Sequence, residues 1–188
     1  NPFPESQLLK GRTVANLFFE NSTRTRTSFE LAEKRLGATS VSRSMQTSSV
    51  SKGESLIDTV NVINAMKIDC IVVRHSSSGV PLLLRKHLPE STRIINAGDG
   101  AHEHPTQALL DAATLLEKLG SLKGKKIVVI GDITHSRVGR SNMLLLNKLG
   151  AKVTLIAPST LTPKYIEEVF DVKVHDTIGD SLKDADAV

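Results

Sequence analysis

The chain has one cysteine, one tyrosine and no tryptophan in 188 residues. Cys70 has no internal partner for a disulfide, and its place in the apolar run 68–73 predicts a buried, inert thiol. No apolar stretch approaches the roughly 18 residues of a bilayer-spanning helix. The opening N-P-F-P-E-S-Q has no basic segment leading into an apolar one, so no signal peptide is expected and a cytoplasmic location fits. Lys and Arg number 24 against 20 Asp and Glu, a net charge of +4. There is no Lys/Arg block, and the arginines are dispersed through loops. A basic excess is compatible with nucleic acid, a membrane surface or small anionic substrates; the scarce aromatics count against nucleic acid, and the charge alone decides little. Also missing are a Walker loop, a G-x-G-x-x-G turn and a G-x-S-x-G elbow. The spacing of His102, Glu103 and His104 is wrong for i,i+4 metal ligation on a helix, so no metal is expected.

What is present is alternation. β-branched apolar runs at 13–19, 39–43, 68–74, 93–96, 126–130, 152–157 and 172–174 predict strands. Between them, helical periodicity covers 25–36, 54–66, 80–87, 105–119, 138–149 and 163–169, the last capped by Thr162. Glu30 and Lys34 are expected to pair at i,i+4 on the first helix. A turn of helix at 181–183 precedes Ala187-Val188, which reads as the start of another strand. Such alternation predicts an α/β protein with parallel sheets in two doubly wound domains, residues 1–120 and 121–188. The second is too small to bury a full core of its own and stops mid-pattern, so the chain is expected to be part of a longer one.

One stretch concentrates polar chemistry where a strand hands over to a helix. N-S-T-R-T-R-T, residues 21–27, places hydroxyls and two arginines at a helix start. There unpaired N–H groups and the positive end of the helix favour an anion. A plain Ser/Thr cap with solvated arginines is the alternative. Arg74, His104 with Gln107, and His135 with Arg137 stand in other strand-to-helix loops. In parallel α/β sheets, ligands bind at the carboxyl edge that such loops form.

Five segments in order carry a resemblance: F-F-E-N-S-T-R-T-R-T-S-F-E (18–30), S-S-V-S-K-G-E-S-L-I-D-T (48–59), V-V-R-H-S (72–76), N-A-G-D-G-A-H-E-H-P-T-Q-A-L-L-D (96–111) and G-D-I-T-H-S-R-V-G-R-S-N (131–142). Together they resemble the aspartate/ornithine carbamoyltransferase family. Lys52 and N-A-G-D-G point to its aspartate branch. The resemblance implies transfer of the carbamoyl group of carbamoyl phosphate to the amine of L-aspartate, an early step of pyrimidine synthesis. It implies that Ser22, Thr23, Arg24 and Thr25 hold the phosphate, and that Arg74 bridges phosphate and carbonyl oxygen. His104, with Thr25 and Arg74, would polarise the carbonyl, and Gln107 would hold the carbamoyl NH₂. Ser48 and Lys52 match a loop that enters the neighbouring subunit's site, implying a homotrimer. Lys52 and Arg137 would bind aspartate.

The resemblance implies no metal or organic cofactor and no nucleic-acid or membrane partner. It leaves room for regulatory or pathway-enzyme subunits such as dihydroorotase. An N-terminal helix and most of the aspartate domain of the family have no counterpart here, so this chain alone is expected to turn over poorly. Rival readings are an ornithine enzyme, a nucleotide-binding module on I-V-V-I-G-D-I-T-H-S-R, a nucleic-acid binder and a non-catalytic subunit.

Overall fold

The computed structural model describes residues 5–44 and 55–188. Two compact units, Asn1–Gly100 and Ala101–Val188, are each built around their own sheet.

In the first, β1 (Thr13–Phe18), α1 (Thr23–Arg35), β2 (Thr39–Ser44), α2 (Leu56–Ala65), β3 (Cys70–His75), α3 (Val80–His87) and β4 (Arg93–Asp99) follow one another. The strands are all parallel, in the order β2-β1-β3-β4. Alternate residues of β1 and β3 face opposite ways, as strand geometry requires. Ala15, Leu17, Ile71 and Val73 pack with Val60 of α2 and with Val80 and Leu84 of α3. Val14, Phe18 and Val72 pack with Phe29 of α1 on the other face. The chain thus steps from β1 to one side through α1, then returns and builds toward the other side. Right-handed crossovers make that reversal change faces. The gap between β1 and β3 is therefore the point where strand order reverses, and the crevice beyond their carboxyl ends is where such sheets bind ligands.

Glu33 anchors α1 to this sheet. It is buried, and its Oε2 accepts from Asn16 Nδ2 (2.9 Å) on β1 and from Ser40 Oγ (2.5 Å) on β2. Burial pushes its pKa up, partly opposed by those hydrogen bonds. Glu30 pairs with Arg26 (3.7 Å) rather than with Lys34, so the expected i,i+4 partner lies on the preceding turn. Cys70 is half-buried rather than buried. Its thiol is pushed up to about 11, chiefly by desolvation and then by the nearby Glu33 and Asp69, and so stays protonated.

The second unit runs α4 (Pro105–Leu119), β5 (Lys126–Ile130), α5 (Arg137–Lys148), β6 (Lys152–Ile156), α6 (Ile166–Phe170) and β7 (Lys173–His175). Its sheet is parallel, in the order β5-β6-β7, and Ala187 bridges to Ile127 in parallel as the start of a further strand. Leu122, Met143, Leu146, Val153 and Leu155 form its core. Ala112 of α4 joins that core, and α4 falls in the compact unit that begins at Ala101. The expected helix 163–169 is only five residues long, Ile166–Phe170. Thr162 does not cap it. Its Oγ1 donates to Pro158 O (3.1 Å), after a 3-10 turn at Ser159–Leu161, and Tyr165 sits in the left-handed region (φ 60°) before the helix can begin. No helix among the described residues is long and apolar enough to cross a membrane.

Candidate functional site

At the carboxyl edge of the first sheet, Phe18 of β1 stands in register with Arg74 of β3. The chain leaving β1 stays bound to that neighbour, since Phe19 N donates to Arg74 O (2.9 Å). Arg74 is itself fixed: Nε donates to Glu20 Oε1 (2.6 Å) and a terminal guanidinium nitrogen to Ala97 O (3.2 Å), leaving its side chain 12% exposed. Such a cation is held in place before any ligand arrives. The next residues turn into α1. Ser22 occupies the N-cap position, but its side chain makes no cap hydrogen bond. Thr23, Arg24 and Thr25 form the first turn, Arg24 exposed and Thr25 half-exposed. Among the described residues, the helix start therefore keeps first-turn N–H groups, a serine hydroxyl and an arginine for an external anion.

Next to this edge, β3 and β4 slip out of regular register between Val73 and His75, and β4 extends to Asp99 instead of ending at Asn96. Asp99 is buried. Its carboxylate accepts from Asn96 Nδ2 (2.7 Å) and from Gly79 N (2.7 Å), tying the end of β4 to the loop after β3. Gly100 adopts φ +53°, and a Cβ there would stand 2.8 Å from Ser76 O. N-A-G-D-G is thus the brace of this edge. Burial also holds the His75 imidazole below its usual pKa, with Glu20 opposing.

In the second unit, His104 is buried at the N-cap position of α4, with Pro105 in the first turn. Its backbone N donates to Ser141 Oγ of α5 (2.9 Å), and that hydroxyl donates to Glu103 Oε2 (3.3 Å). His104 Nδ1 lies 3.4 Å from Thr106 Oγ1. Gln107, in the first turn of α4, donates from Nε2 to Asp111 Oδ1 (2.8 Å). Arg137 opens α5 behind Ser136, whose Oγ accepts from Gly139 N (3.0 Å). Asp132 accepts from His135 N (3.0 Å) and sits against its Nδ1 (2.9 Å), contacts that hold the carboxyl below the usual range.

The structure therefore brings Ser22, Thr23, Arg24, Thr25 and Arg74 to one sheet edge in the first unit. It places His104, Gln107 and Arg137 at helix starts in the second. Ser48 and Lys52 lie outside the described residues. Glu20, Asp99, Ser141 and Asp111 shape these positions, and the sequence reading assigned none of them a role. All four fall inside the segments that carry the family resemblance, and that was their signal.

Comparison with known proteins adds identity. The family described as "Aspartate/ornithine carbamoyltransferase, carbamoyl-P binding domain" matches residues 3–117. An "Aspartate carbamoyltransferase catalytic subunit" of Solibacter usitatus is 57% identical over 181 residues, covering 96% of this chain and 59% of that protein. One of Rhodospirillum centenum is 56% identical, covering 100% of this chain and 58% of that protein. Among solved structures, the catalytic subunit of M. Jannaschii aspartate transcarbamoylase matches with a TM-score of 0.82 at 40% identity, covering 96% of this chain and 61% of that one. Aspartate transcarbamoylase from Trypanosoma cruzi, in complex with carbamoyl phosphate and aspartate, matches with a TM-score of 0.80 at 35% identity, covering 93% of this chain and 56% of that one. The chain thus spans less than two thirds of the length of these relatives. With the family match covering most of its length and its motifs set at strand-to-helix turns, the chain belongs to the aspartate/ornithine carbamoyltransferase family.

Proposed function

We propose that the protein transfers the carbamoyl group of carbamoyl phosphate to the amine of L-aspartate, giving N-carbamoyl-L-aspartate and phosphate for de novo pyrimidine synthesis. One observation carries this reading: a nearly buried, pre-fixed Arg74 shares the order-reversing edge of the first sheet with a helix start whose serine makes no cap. That combination suits a phosphoryl ligand. Its phosphate is assigned to Ser22, Thr23, Arg24 and Thr25, and its carbonyl oxygen to Arg74, His104 and Thr25. Gln107 takes the carbamoyl NH₂, and Arg137 and Lys52 take the carboxylates of aspartate.

In the proposed step the amine lone pair forms a C–N bond to the carbamoyl carbon. The bond from that carbon to the bridging oxygen breaks, and phosphate leaves with the electron pair and accepts the amine proton. Negative charge grows on the carbonyl oxygen and on the leaving phosphate, where fixed cations and donors act more strongly than in the ground state. Holding two anions side by side supplies the orientation. The residues assigned here need no metal or organic cofactor for this step. The carbamoyl phosphate domain is assigned to 1–120, a division supported by the family match ending at residue 117. The proposal extends to a cytoplasmic homotrimer in which Ser48 and Lys52 serve a neighbouring subunit's site, with regulatory subunits or dihydroorotase as the class of further partner.

The test is product analysis on the full-length protein, with carbamoyl phosphate supplied together with aspartate or with ornithine. N-carbamoyl-aspartate from the first mixture and nothing from the second is the expected result. Product from ornithine alone, or from neither, refutes the proposal.

A further inference from the structure

A glutamine amide has two ends of nearly the same shape and opposite hydrogen-bonding character. To hold a carbamoyl NH₂, the role proposed above and on which this inference rests, Gln107 must present Oε1 and not Nε2. Something must decide which end points where.

Asp111 stands one turn further along α4, at the i+4 position where side chains meet. Its Oδ1 accepts from Gln107 Nε2 at 2.8 Å. Its Oδ2 accepts from Asn142 Nδ2 of α5, also at 2.8 Å. An ionised carboxylate only accepts, so the chemistry fixes both amides: each must turn its NH₂ toward Asp111. Asn142 Oδ1 is left buried without a partner, which marks its donor end as the one in use. No described residue donates to Gln107 Oε1.

We infer that Asp111 is a positioning residue that sets the polarity of Gln107, presenting an acceptor to the carbamoyl NH₂ and making the site prefer carbamoyl phosphate over an acyl phosphate that lacks it. Asn142 locks Asp111 in that orientation from the neighbouring helix. The preference arises because a carbonyl oxygen facing a methyl group loses its partner, whereas facing NH₂ it gains one.

The test compares two donors on the full-length protein, with aspartate as acceptor. Acetyl phosphate carries CH₃ in place of NH₂. Attack by the amine on its carbonyl carbon forms the C–N bond and expels phosphate, giving N-acetyl-aspartate. The readout is the ratio of kcat/KM for carbamoyl phosphate to that for acetyl phosphate. In Asp111→Asn the new amide can donate to Gln107 Oε1, so the glutamine turns over and the ratio falls by roughly tenfold or more. Gln107→Met lowers the ratio by the same factor, and the double variant lowers it no further, because both changes remove one interaction. Asp111→Ala, which favours the helix, is the second variant should the asparagine not fold, and its ratio falls as well. A purely structural role would slow both donors equally and leave the ratio at the wild-type value. Folded Asp111 variants with that unchanged ratio overturn the inference. A wild-type protein that forms no N-carbamoyl-aspartate overturns the reading beneath it, so the two failures are distinct.

Discussion

Two strand-to-helix turns carry nearly the same letters and put them to different uses. After β1, Ser22 stands at the N-cap position of α1, with Arg24 in the first turn. After β5, Ser136 stands at the N-cap position of α5, with Arg137 next to it. Ser136 caps: its Oγ accepts from Gly139 N, and at that glycine a Cβ would sit 3.2 Å from the hydroxyl. Asp132 closes the same loop on itself by taking His135 N. Ser22 does not cap. The turn that bears it is tied instead to the neighbouring strand, through Phe19 N to Arg74 O and through Glu20 to Arg74. In the second turn Ser136, Asp132 and the His135 backbone bond within the loop, whereas the serine of the first turn makes no cap bond. Sequence composition alone does not separate a cap from a binding turn.

Removing Arg74 should produce the largest effect. Arg74→Ala takes away the pre-fixed cation proposed to face the developing charge, and turnover in steady-state assays should fall by about 100-fold or more. A loss of only a few-fold would mean that this edge of the first sheet is not where the chemistry is stabilised. Ser22→Ala comes next. Calorimetry should show carbamoyl phosphate binding weakened by roughly tenfold, since the lost hydrogen bond is to a charged group. Urea unfolding should stay within about 0.5 kcal/mol of wild type, because no cap is lost. If that variant unfolds as a decapped helix does, the contrast between the two serines collapses. Ser136→Ala should reverse the pattern. Stability should fall by about 1 kcal/mol with carbamoyl phosphate affinity unchanged, read by the same two methods.

The smallest effect concerns acid. The Asp132 carboxyl is held below its ordinary value by hydrogen bonds from His135. A depressed folded pKa means that its stabilisation is complete above the unfolded value near 4 and is lost as pH falls through the folded one. The stability gap between wild type and Asp132→Asn should therefore be present at about pH 5 and close as pH falls below about 4. A gap that widens in acid would contradict this sign.

Much of the architecture was legible. The bounds of α3, α4 and β5 coincide with the periodic segments, because Gly, Pro and Ser punctuate them on both sides. Thr162 misled because Ser/Thr-Pro reads as a helix start, whereas here the hydroxyl binds back to Pro158 O and Tyr165 interposes a left-handed residue. Glu33 was invisible as an anchor, because its partners on β1 and β2 converge only when the sheet forms.

The sequence by itself determined the alternation of elements, the placing of Ser22, His104 and Arg137 at helix starts and that of Arg74 near the end of a strand. These follow from short-range periodicity and from the helix-start preferences of small polar residues. The tertiary structure alone decided the strand order β2-β1-β3-β4, and with it which turn lies where the order reverses. It also decided which serine caps and which carboxylate meets which cation or amide. Glu20 meets Arg74 across 54 residues of chain and Asn142 meets Asp111 across 31. Contacts so remote along the chain arise from packing, and no local pattern encodes them.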